Sequence, residues 1–424
     1  MQERLLQFIW QFRYYNQRQL TLSNGSKLEV LHPGAFNLHQ GPDFQQARIR
    51  IDGLIWVGNV ELHVRTSDWF AHAHHKDSLY KNVILHVVWH DDLNNPNDPI
   101  PVLTLQNLVP KVLLQQYEEW MLSRQFIPCQ HQLQKVNYLV LASWKDRLLV
   151  ERLERKSGWM LDVFQQSKQH WEETCWWLLA RNFGLKVNAD AFEAMARSLP
   201  LNLIARHRPH LMQIESLLLG QAGLLSTKLS LPYPSMLKKE YEFLKSKYSL
   251  GSIQLPVYFL RMRPPAFPTV RLAQLSMLLH RTQQLFRQLL ESDSIQQLRM
   301  FLNVTASNEW DCYYTLEEVA PSRIKHMGEE FTDSLVLNTV IPLVFTYGCW
   351  KKEQSYKDKA VQWLLQLPPE KNGITNQFRL IGAAIGNAFE SQALIELKTQ
   401  YCDRKKCLDC AIGNHLISSH WPAS

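Results

Sequence analysis

The sequence of 424 residues contains no uncharged apolar run of 18 or more residues, so it offers no segment typical of a membrane-spanning helix. Its first residues, MQERLLQFIWQFRYY, lack an uncharged apolar core that ends in a small-residue cleavage site. Internal repeats and low-complexity tracts are also missing, and the composition excludes a fibre or a long disordered tail. We therefore expect a cytoplasmic protein with no membrane partner.

Cysteine is scarce, with seven residues in the whole chain. An odd number in a large chain is not typical of a disulfide-bonded secreted protein. Three of the seven lie close together at Cys402, Cys407 and Cys410. We interpret the cysteines as reduced thiols, and these three could bind a metal.

The length exceeds the roughly 250 to 300 residues at which one hydrophobic core stops growing, so two or three domains are expected. Residues 1–125 are predicted to form an α/β domain with a mixed sheet. Residues 126–395 contain long runs with helical periodicity, such as YLVLASWKDRLLVERLERK, and are predicted to form a large all-α domain. Residues 396–424 are predicted to form a small Cys-rich metal-binding knuckle.

The α/β domain begins with apolar side chains at helical spacing over residues 3–15. Four short runs, KLEVLH, ARIRIDGLIW, GNVELHV and NVILHVVW, then predict strands, and PVLTLQ could add another. Asp52-Gly53 is a two-residue hairpin signal, which makes the flanking strands antiparallel neighbours. Ser67 or Asp68 could cap a helix that carries Trp69, His72, His75 and Leu79.

Charge is distributed unevenly, although the net charge of +7 is modest. Residues 1–125 have a net charge of −1 and hold eight of the sixteen histidines, whereas residues 126–424 have a net charge of +8. A polyanion would bind the basic part of the chain. Because histidine can bind metals and transfer protons, residues 1–125 are the candidate region for metal or acid–base chemistry.

Two carboxylates and a histidine mark a candidate site in the first domain. Asp43 opens a predicted strand, and alternation places Glu61 and His63 on one face of the partner strand. The hairpin can then bring Asp43 beside Glu61. Converging carboxylates suit Mg²⁺ or Mn²⁺, which can activate a water for attack on a phosphodiester. The alternative is that both are solvated surface acids.

This arrangement resembles the motif of the PD-(D/E)XK nuclease superfamily. The matching features are a helix with Glu3, then Pro42-Asp43, seventeen intervening residues, Glu61-Leu62-His63, a crossover helix and a buried strand. The resemblance covers roughly the first 110 residues and implies a restriction-endonuclease-like fold. It also implies a metal-dependent nuclease that acts on DNA, with RNA as a second candidate. In that function Asp43 and Glu61 hold the ion, His63 lies beside the attacking water, and Glu3 is a third or an outlying carboxylate.

The sequence departs from this superfamily at His63, which stands where the family has a lysine. Histidine can orient a water or stabilise charge, but it is mostly neutral near pH 7. Either Lys76 or Lys81 takes the role of the lysine, or the activity is weak or lost. A catalytically inactive nucleic-acid-binding or scaffold protein is therefore the alternative function, and a hydrolase of a small phosphorylated substrate is the third.

Segments over most of the chain resemble an uncharacterised bacterial family, a domain of unknown function. They are WVGNVELHV, SDW followed by HHKDSLYKNVILHVVWHDD, RNFGLKVN, LLLGQAGLL, RMRPPAF and CLDCAIG. Such a resemblance supplies no activity, so the function has to be argued from the sites.

Further histidines follow Glu61 closely. On a helix, His72 and His75 would lie three residues apart and could join a metal or phosphate site, although packing or solvated roles are the alternative. His86 is predicted to be buried and hydrogen-bonded on a strand whose alternation lets it face the pocket.

The motif Cys402-x4-Cys407-x2-Cys410, followed by His415, offers three thiolates and an imidazole, a ligand set that fits a structural zinc. The fourth ligand stays open between His415, His420 and a distant cysteine such as Cys129. Some members of the nuclease superfamily hold an iron–sulfur cluster through one distant and three C-terminal cysteines, so the resemblance keeps that cluster as an alternative. Free thiols are the remaining interpretation.

A proline-stiffened loop in the helical region carries Arg261 and Arg263, and Arg271 follows it. Arginines on such a loop can clamp phosphates, and neighbouring aromatic side chains could stack on bases. These three arginines are the predicted nucleic-acid-binding residues. The alternative is an interdomain network of salt bridges.

Overall fold

The computed structural model describes residues 1–95, 99–226, 228–251, 253 and 255–419. The chain divides into two compact units, of which the first comprises Met1–Trp144 and Leu397–Ser424 and the second comprises Lys145–Glu396. The division therefore falls within one helix, which begins at Tyr138. The three-domain division with borders after residues 125 and 395 stays a prediction.

The first unit contains a mixed sheet of seven strands. These are β1 (Leu20–Thr21), β2 (Lys27–His32), β3 (Ala35–Phe36), β4 (Phe44–Ile51), β5 (Leu54–Arg65), β6 (Val83–His90) and β7 (Val102–Thr104). Their order is β1-β2-β4-β5-β6-β7, with β3 paired to β4. The strands up to β5 pair antiparallel, whereas β6 and β7 join in parallel, so the predicted mixed sheet is confirmed.

The hairpin of β4 and β5 forms at the predicted turn. Asp52 and Gly53 adopt positive φ angles of 44° and 89°, as a tight two-residue turn requires. The Asp52 carboxylate also accepts a hydrogen bond of 2.8 Å from the backbone N–H of Lys27 at the start of β2. The register pairs Phe44 with Val60, and it therefore places Asp43, the residue before β4, beside Glu61.

The buried core of the sheet explains the apolar runs in β5 and β6. Residues 60–63 of β5 and 83–88 of β6 are buried, as expected for parallel neighbours covered on both faces. Glu61 lies opposite His86 in their register. The connection holds a short helix, α2 (Asp68–Ala71), and 3₁₀ turns at His74–Lys76 and Ser78–Tyr80, instead of the longer predicted helix.

Two further helices of the first unit are α1 (Glu3–Gln11) and α3 (Lys111–Leu122), and a 3₁₀ turn spans Gln130–Lys135. The apolar spacing of α1 buries Leu5, Leu6, Phe8, Ile9 and Trp10. This helix therefore contributes to the core while its first turn carries the acidic Glu3.

The second unit is helical, as predicted for this region. Its helices are α4 (Tyr138–Gln166), α5 (Trp171–Phe183), α6 (Leu185–Ser198), α7 (Leu201–His207), α8 (Leu211–Gln221), α9 (Pro232–Tyr248), α10 (Pro268–Arg281), α11 (Leu285–Glu291), α12 (Ile295–Leu302), α13 (Glu329–Leu335), α14 (Ile341–Lys351), α15 (Gln354–Gln366), α16 (Gly373–Leu380) and α17 (Ala388–Glu396). Large side chains such as Trp176, Phe192, Trp310 and Trp363 are buried in its core. A π-helical turn at Val336–Val340 joins α13 to α14.

After α17 the chain re-enters the first unit through a π-helical turn at Leu397–Cys402 and a 3₁₀ turn at Cys407–Asp409, followed by α18 (Ala411–Ser418). Among the helices of the described residues, none has both the length and the apolar character needed to cross a membrane.

Candidate functional site

Asp43 and Glu61 lie side by side at the hairpin. The backbone N–H of Asp43 donates to Glu61 Oε2 at 3.0 Å, and the backbone N–H of Leu62 donates to Asp43 Oδ2 at 3.1 Å. Each carboxylate therefore accepts a hydrogen bond from the backbone of the other strand. Glu61 is only 5% exposed, and Asp43 is half-buried.

A third carboxylate, Glu3, reaches this pair from the first turn of α1. The side-chain N–H₂ group of Gln7 donates to Asp43 Oδ1 at 2.8 Å and to Glu3 Oε1 at 3.3 Å. One buried amide thus holds Glu3 close to Asp43. Its negative charge contributes to the raised pKa of both Asp43 and Glu61.

Histidines border Glu61 on the sheet. His63, two residues further along β5, is 1% exposed, and its Nδ1 lies 2.9 Å from Nε2 of His86 on β6. His63 Nε2 lies 3.7 Å from Glu61 Oε1, and His74 Nε2 lies 3.5 Å from the same oxygen. Glu61 therefore connects the carboxylates to the imidazoles.

Nitrogen atoms of His63, His72 and His74 all lie within 4.8 Å of one another, and we call these three residues the histidine group. Three imidazoles at such a spacing can converge on one divalent transition-metal ion. The carboxylate of Glu61 at the border of the group could supply an oxygen ligand. This arrangement differs from the oxygen-rich carboxylate pocket expected from the sequence, because most of its donors are nitrogen.

Aromatic side chains fix the imidazole rings. The Tyr80 ring stacks on His74 with centroids 3.9 Å apart, and Trp69 meets His63 edge-on at 6.4 Å. Both aromatic residues come from the connection between β5 and β6. The fold therefore restricts the rings to a narrow range of orientations, as an organised ligand set requires.

Burial opposes charge on Glu61, Asp43, His63 and His86. It raises the pKa of Glu61 to about 8 and that of Asp43 to about 6, with a further contribution from the neighbouring carboxylates. It also lowers the pKa of His63 to about 3 and that of His86 to about 4. At neutral pH His63 and His86 are therefore neutral, so His63 is able to bind a cation, while Glu61 retains a proton that a cation would displace.

The structure does not bring His75 beside His72, which was one of the two interpretations of the sequence. His75 is exposed, and its ring packs against Phe70 rather than against His72. The helix ends at Ala71, and Ala73 adopts a left-handed conformation with φ of 57°, so helical spacing does not continue. His74 therefore lies beside His72 in the histidine group. The dense run of histidines after Glu61 was the feature of the sequence that could have indicated this group.

The two residues that could take the role of the family lysine, Lys76 and Lys81, are both exposed.

In the second unit, Arg261 and Arg263 are exposed before α10. The side chain of Asn188 holds this loop through two hydrogen bonds of 2.8 Å to the backbone of Tyr258. Arg271 is different, because it is 8% exposed and its guanidinium carbon lies 3.5 Å from the ring centroid of Phe331. A buried guanidinium is not presented to a phosphate, so only the first two arginines stay in the proposed binding set.

The structure brings Cys129 close to the three C-terminal cysteines, which was one of the alternatives that the sequence left open. Cys129 lines the same cavity as Cys402, Cys407 and Cys410. His415 is not among the residues that line it, and its Nε2 accepts a 3.4 Å hydrogen bond from the backbone N–H of Asn137. The other candidate ligand, His420, lies outside the described residues.

Residues 3–373 match the family model described as "Protein of unknown function (DUF2851)", and the chain therefore belongs to this family. The match includes the carboxylates, the histidine group and Cys129, and it ends before Cys402. No curated protein and no solved structure matches the chain significantly. The description of the family carries no activity, so the chemistry of the site has to indicate the function.

Proposed function

Within this family, we propose that the first unit is a metal-dependent, nuclease-like hydrolase that cleaves phosphodiester bonds in DNA. The observation that carries the proposal is the convergence of Asp43, Glu61 and the histidine group at one place on the sheet. Carboxylates next to imidazoles form a site for a divalent ion, and bound divalent ions activate water for such hydrolysis.

The restriction-endonuclease-like assignment of the sheet is part of this proposal. It is supported by the order of α1, the antiparallel strands β2, β4 and β5, a crossover, and the parallel strand β6. It is also supported by the position of Asp43 immediately before β4 and of Glu61 within β5. These are the places where the resemblance puts the two acidic residues.

Glu61 and the histidine group would hold the ion. Imidazole is a poor ligand for Mg²⁺, which prefers oxygen, whereas Mn²⁺ and Zn²⁺ accept nitrogen and oxygen together. Of the two ions that the sequence predicts for this site, we therefore propose Mn²⁺ and rank Mg²⁺ below it. When bound, such an ion supplies a polarised water and stabilises negative charge on the phosphoryl oxygens.

The protein residues around the ion have separate tasks. Asp43, with a pKa of about 6, is deprotonated at neutral pH and can accept a proton from the attacking water. Gln7 orients Asp43 and keeps Glu3 close to it. His86 holds His63 in place through the contact between their rings, so His63 serves as a ligand and not as a replacement for the family lysine.

DNA binding is proposed for the second unit, through Arg261 and Arg263 and the positive charge of Lys145–Glu396, which hold 30 basic and 25 acidic residues for a net charge of +5. A carboxylate-lined pocket repels phosphate until its ion is bound, so affinity and chemistry come from different residues. RNA is the second candidate substrate.

The test is cleavage of single- and double-stranded DNA and RNA with Mn²⁺, by the wild type and by Glu61→Gln. We expect cleavage by the wild type alone. If the wild type binds Mn²⁺ and DNA but cleaves nothing, the alternative of a catalytically inactive nucleic-acid-binding protein is favoured. If it binds Mn²⁺ but no nucleic acid, a small phosphorylated substrate becomes the better proposal.

A further inference from the structure

Four cysteines surround one cavity in the first unit. Cys129 lies just before the 3₁₀ turn Gln130–Lys135, and it lines the cavity with Cys402, Cys407 and Cys410 from the turns that precede α18. All four are free thiols, and the last three are buried. We call these four residues the cysteine group. Its members come from two stretches that are far apart in the sequence.

The walls of the cavity are mostly apolar. They include Trp120, Ile127, Leu397 and Ile412, with Lys406 as a nearby positive charge. Water cannot solvate thiolates in such surroundings, whereas a positively charged inorganic core would stabilise them.

The Cys410 sulfur has the surroundings of a thiolate ligand. The backbone N–H groups of Ile412 and Gly413 and the side chain of Trp144 lie near it. A Cβ atom at position 413 would lie 2.1 Å from the carbonyl oxygen of Cys407, so the first turn of α18 can approach the cysteine turn only with glycine there. N–H groups near a cysteine sulfur are typical of metal-bound cysteine.

The spacing of the sulfurs distinguishes a cluster from a single ion. A tetrahedral zinc binds sulfur at about 2.3 Å, so its thiolates lie only about 3.8 Å apart. Over the described ranges, the histidine group is the sole set of three or more His, Cys, Asp or Glu ligand atoms that all lie within 4.8 Å of one another. The cysteine sulfurs are therefore spread more widely than one zinc requires. An iron–sulfur cluster distributes its four thiolates over several irons.

We propose that the cysteine group holds an iron–sulfur cluster, with Cys129 as the fourth ligand that the sequence left open between His415, His420 and a distant cysteine. The spacing Cys402-x4-Cys407-x2-Cys410 with a distant fourth cysteine is one that four-cysteine clusters use. The cluster ties the stretch around Cys129 to the stretch that precedes α18. This site is separate from the carboxylates and the histidine group, and it does not depend on the proposed hydrolytic function.

The first experiment measures iron, zinc and acid-labile sulfide in the full-length protein purified without oxygen, together with its visible absorption. We expect iron and sulfide in equal amounts, at about two or about four of each per chain, and the number identifies the type of cluster. One zinc per chain without sulfide would overturn the proposal, as would the absence of metal. This measurement uses the wild type and does not depend on how any variant folds.

The second experiment tests the ligands with single serine substitutions. Cys129→Ser, Cys402→Ser, Cys407→Ser and Cys410→Ser should each lower bound iron by at least about tenfold. Cys312→Ser and Cys349→Ser are matched controls, because both residues are partly exposed free thiols of the second unit, and they should retain the full iron content. Full iron in a folded Cys129→Ser protein would remove Cys129 from the site.

Discussion

His74 Nε2 lies 3.5 Å from Glu61 Oε1, although one residue belongs to a 3₁₀ turn and the other to the centre of a buried strand. This contact joins the two halves of the site, because Glu61 also accepts a hydrogen bond from the backbone of Asp43. A single side chain thus borders both the carboxylates and the histidine group.

His74→Asn should weaken Mn²⁺ binding by roughly ten- to a hundredfold, because it removes one of three converging imidazoles. His75→Asn is the matched control, since this adjacent histidine is exposed and packs against Phe70. Isothermal titration calorimetry on both variants and on the wild type measures the difference. Equal losses in the two variants would mean that the ion does not bind at the histidine group.

The metal-free protein should lose stability as the pH rises from about 6.5 to 8.5. The pKa of Glu61 is raised from its ordinary value of 4.5 to about 8, so the folded state keeps a proton that the unfolded chain has lost. More protons bound in the folded state mean that stability decreases with pH over this window, by on the order of 1–2 kcal/mol. Lowered histidine pKa values act in the opposite direction, but the change that they still cause is small above the ordinary histidine pKa of 6.5 and is nearly complete above about pH 7.5.

Urea denaturation of chelator-treated protein across this pH range measures the effect. Glu61→Gln should flatten the dependence because it removes the titrating group, and added Mn²⁺ should do the same because the ion replaces the proton. An unchanged slope in Glu61→Gln would show that another group is responsible.

Asp43→Asn should reduce DNA cleavage by at least about a hundredfold while leaving the fold intact. Asparagine preserves the size of the side chain and can still accept the hydrogen bond from the Leu62 backbone, but it cannot take a proton from water. Single-turnover cleavage with saturating Mn²⁺ separates this loss from weaker metal binding. Wild-type rates in a folded Asp43→Asn protein would exclude Asp43 as the proton acceptor.

Replacing Arg261 and Arg263 together by alanine should weaken DNA binding to a similar extent for unrelated sequences, and the salt dependence should become less steep. Both side chains are exposed, which is what contacts with phosphate require. Fluorescence anisotropy at several salt concentrations provides the measurement. Arg124→Ala, an exposed arginine of the first unit, serves as the comparison and should have a smaller effect.

The local features of the first unit were predictable from the sequence, because short-range chemistry determines them. Asp52-Gly53 fixes the turn between β4 and β5, and the resulting register places Asp43 beside Glu61. The left-handed residue Ala73 carries no comparable signal, since alanine rarely adopts this conformation. The helix between the strands was therefore predicted too long, and His74 was not recognised as the partner of His72.

Contacts between residues that are far apart in the sequence were harder to predict. The proximity of Cys129 to the distant cysteines depends on how the whole first unit packs, which periodicity does not encode. The burial of Arg271 was missed for a similar reason, since a helix that starts with proline gives no sign that this arginine will face Phe331.

The discontinuous make-up of the first unit has a consequence for the order of folding. Residues Leu397–Ser424 belong with Met1–Trp144, so the ribosome must synthesise all of Lys145–Glu396 before this unit has its full set of residues. A fragment of residues 1–125 would emerge without Cys129 and without the turns that carry the other three cysteines. Helices of the second unit can form from local contacts in the meantime, whereas closure of the first unit is a late, long-range event. Any engineered version of the first unit alone would therefore need a new connection from Trp144 to Leu397.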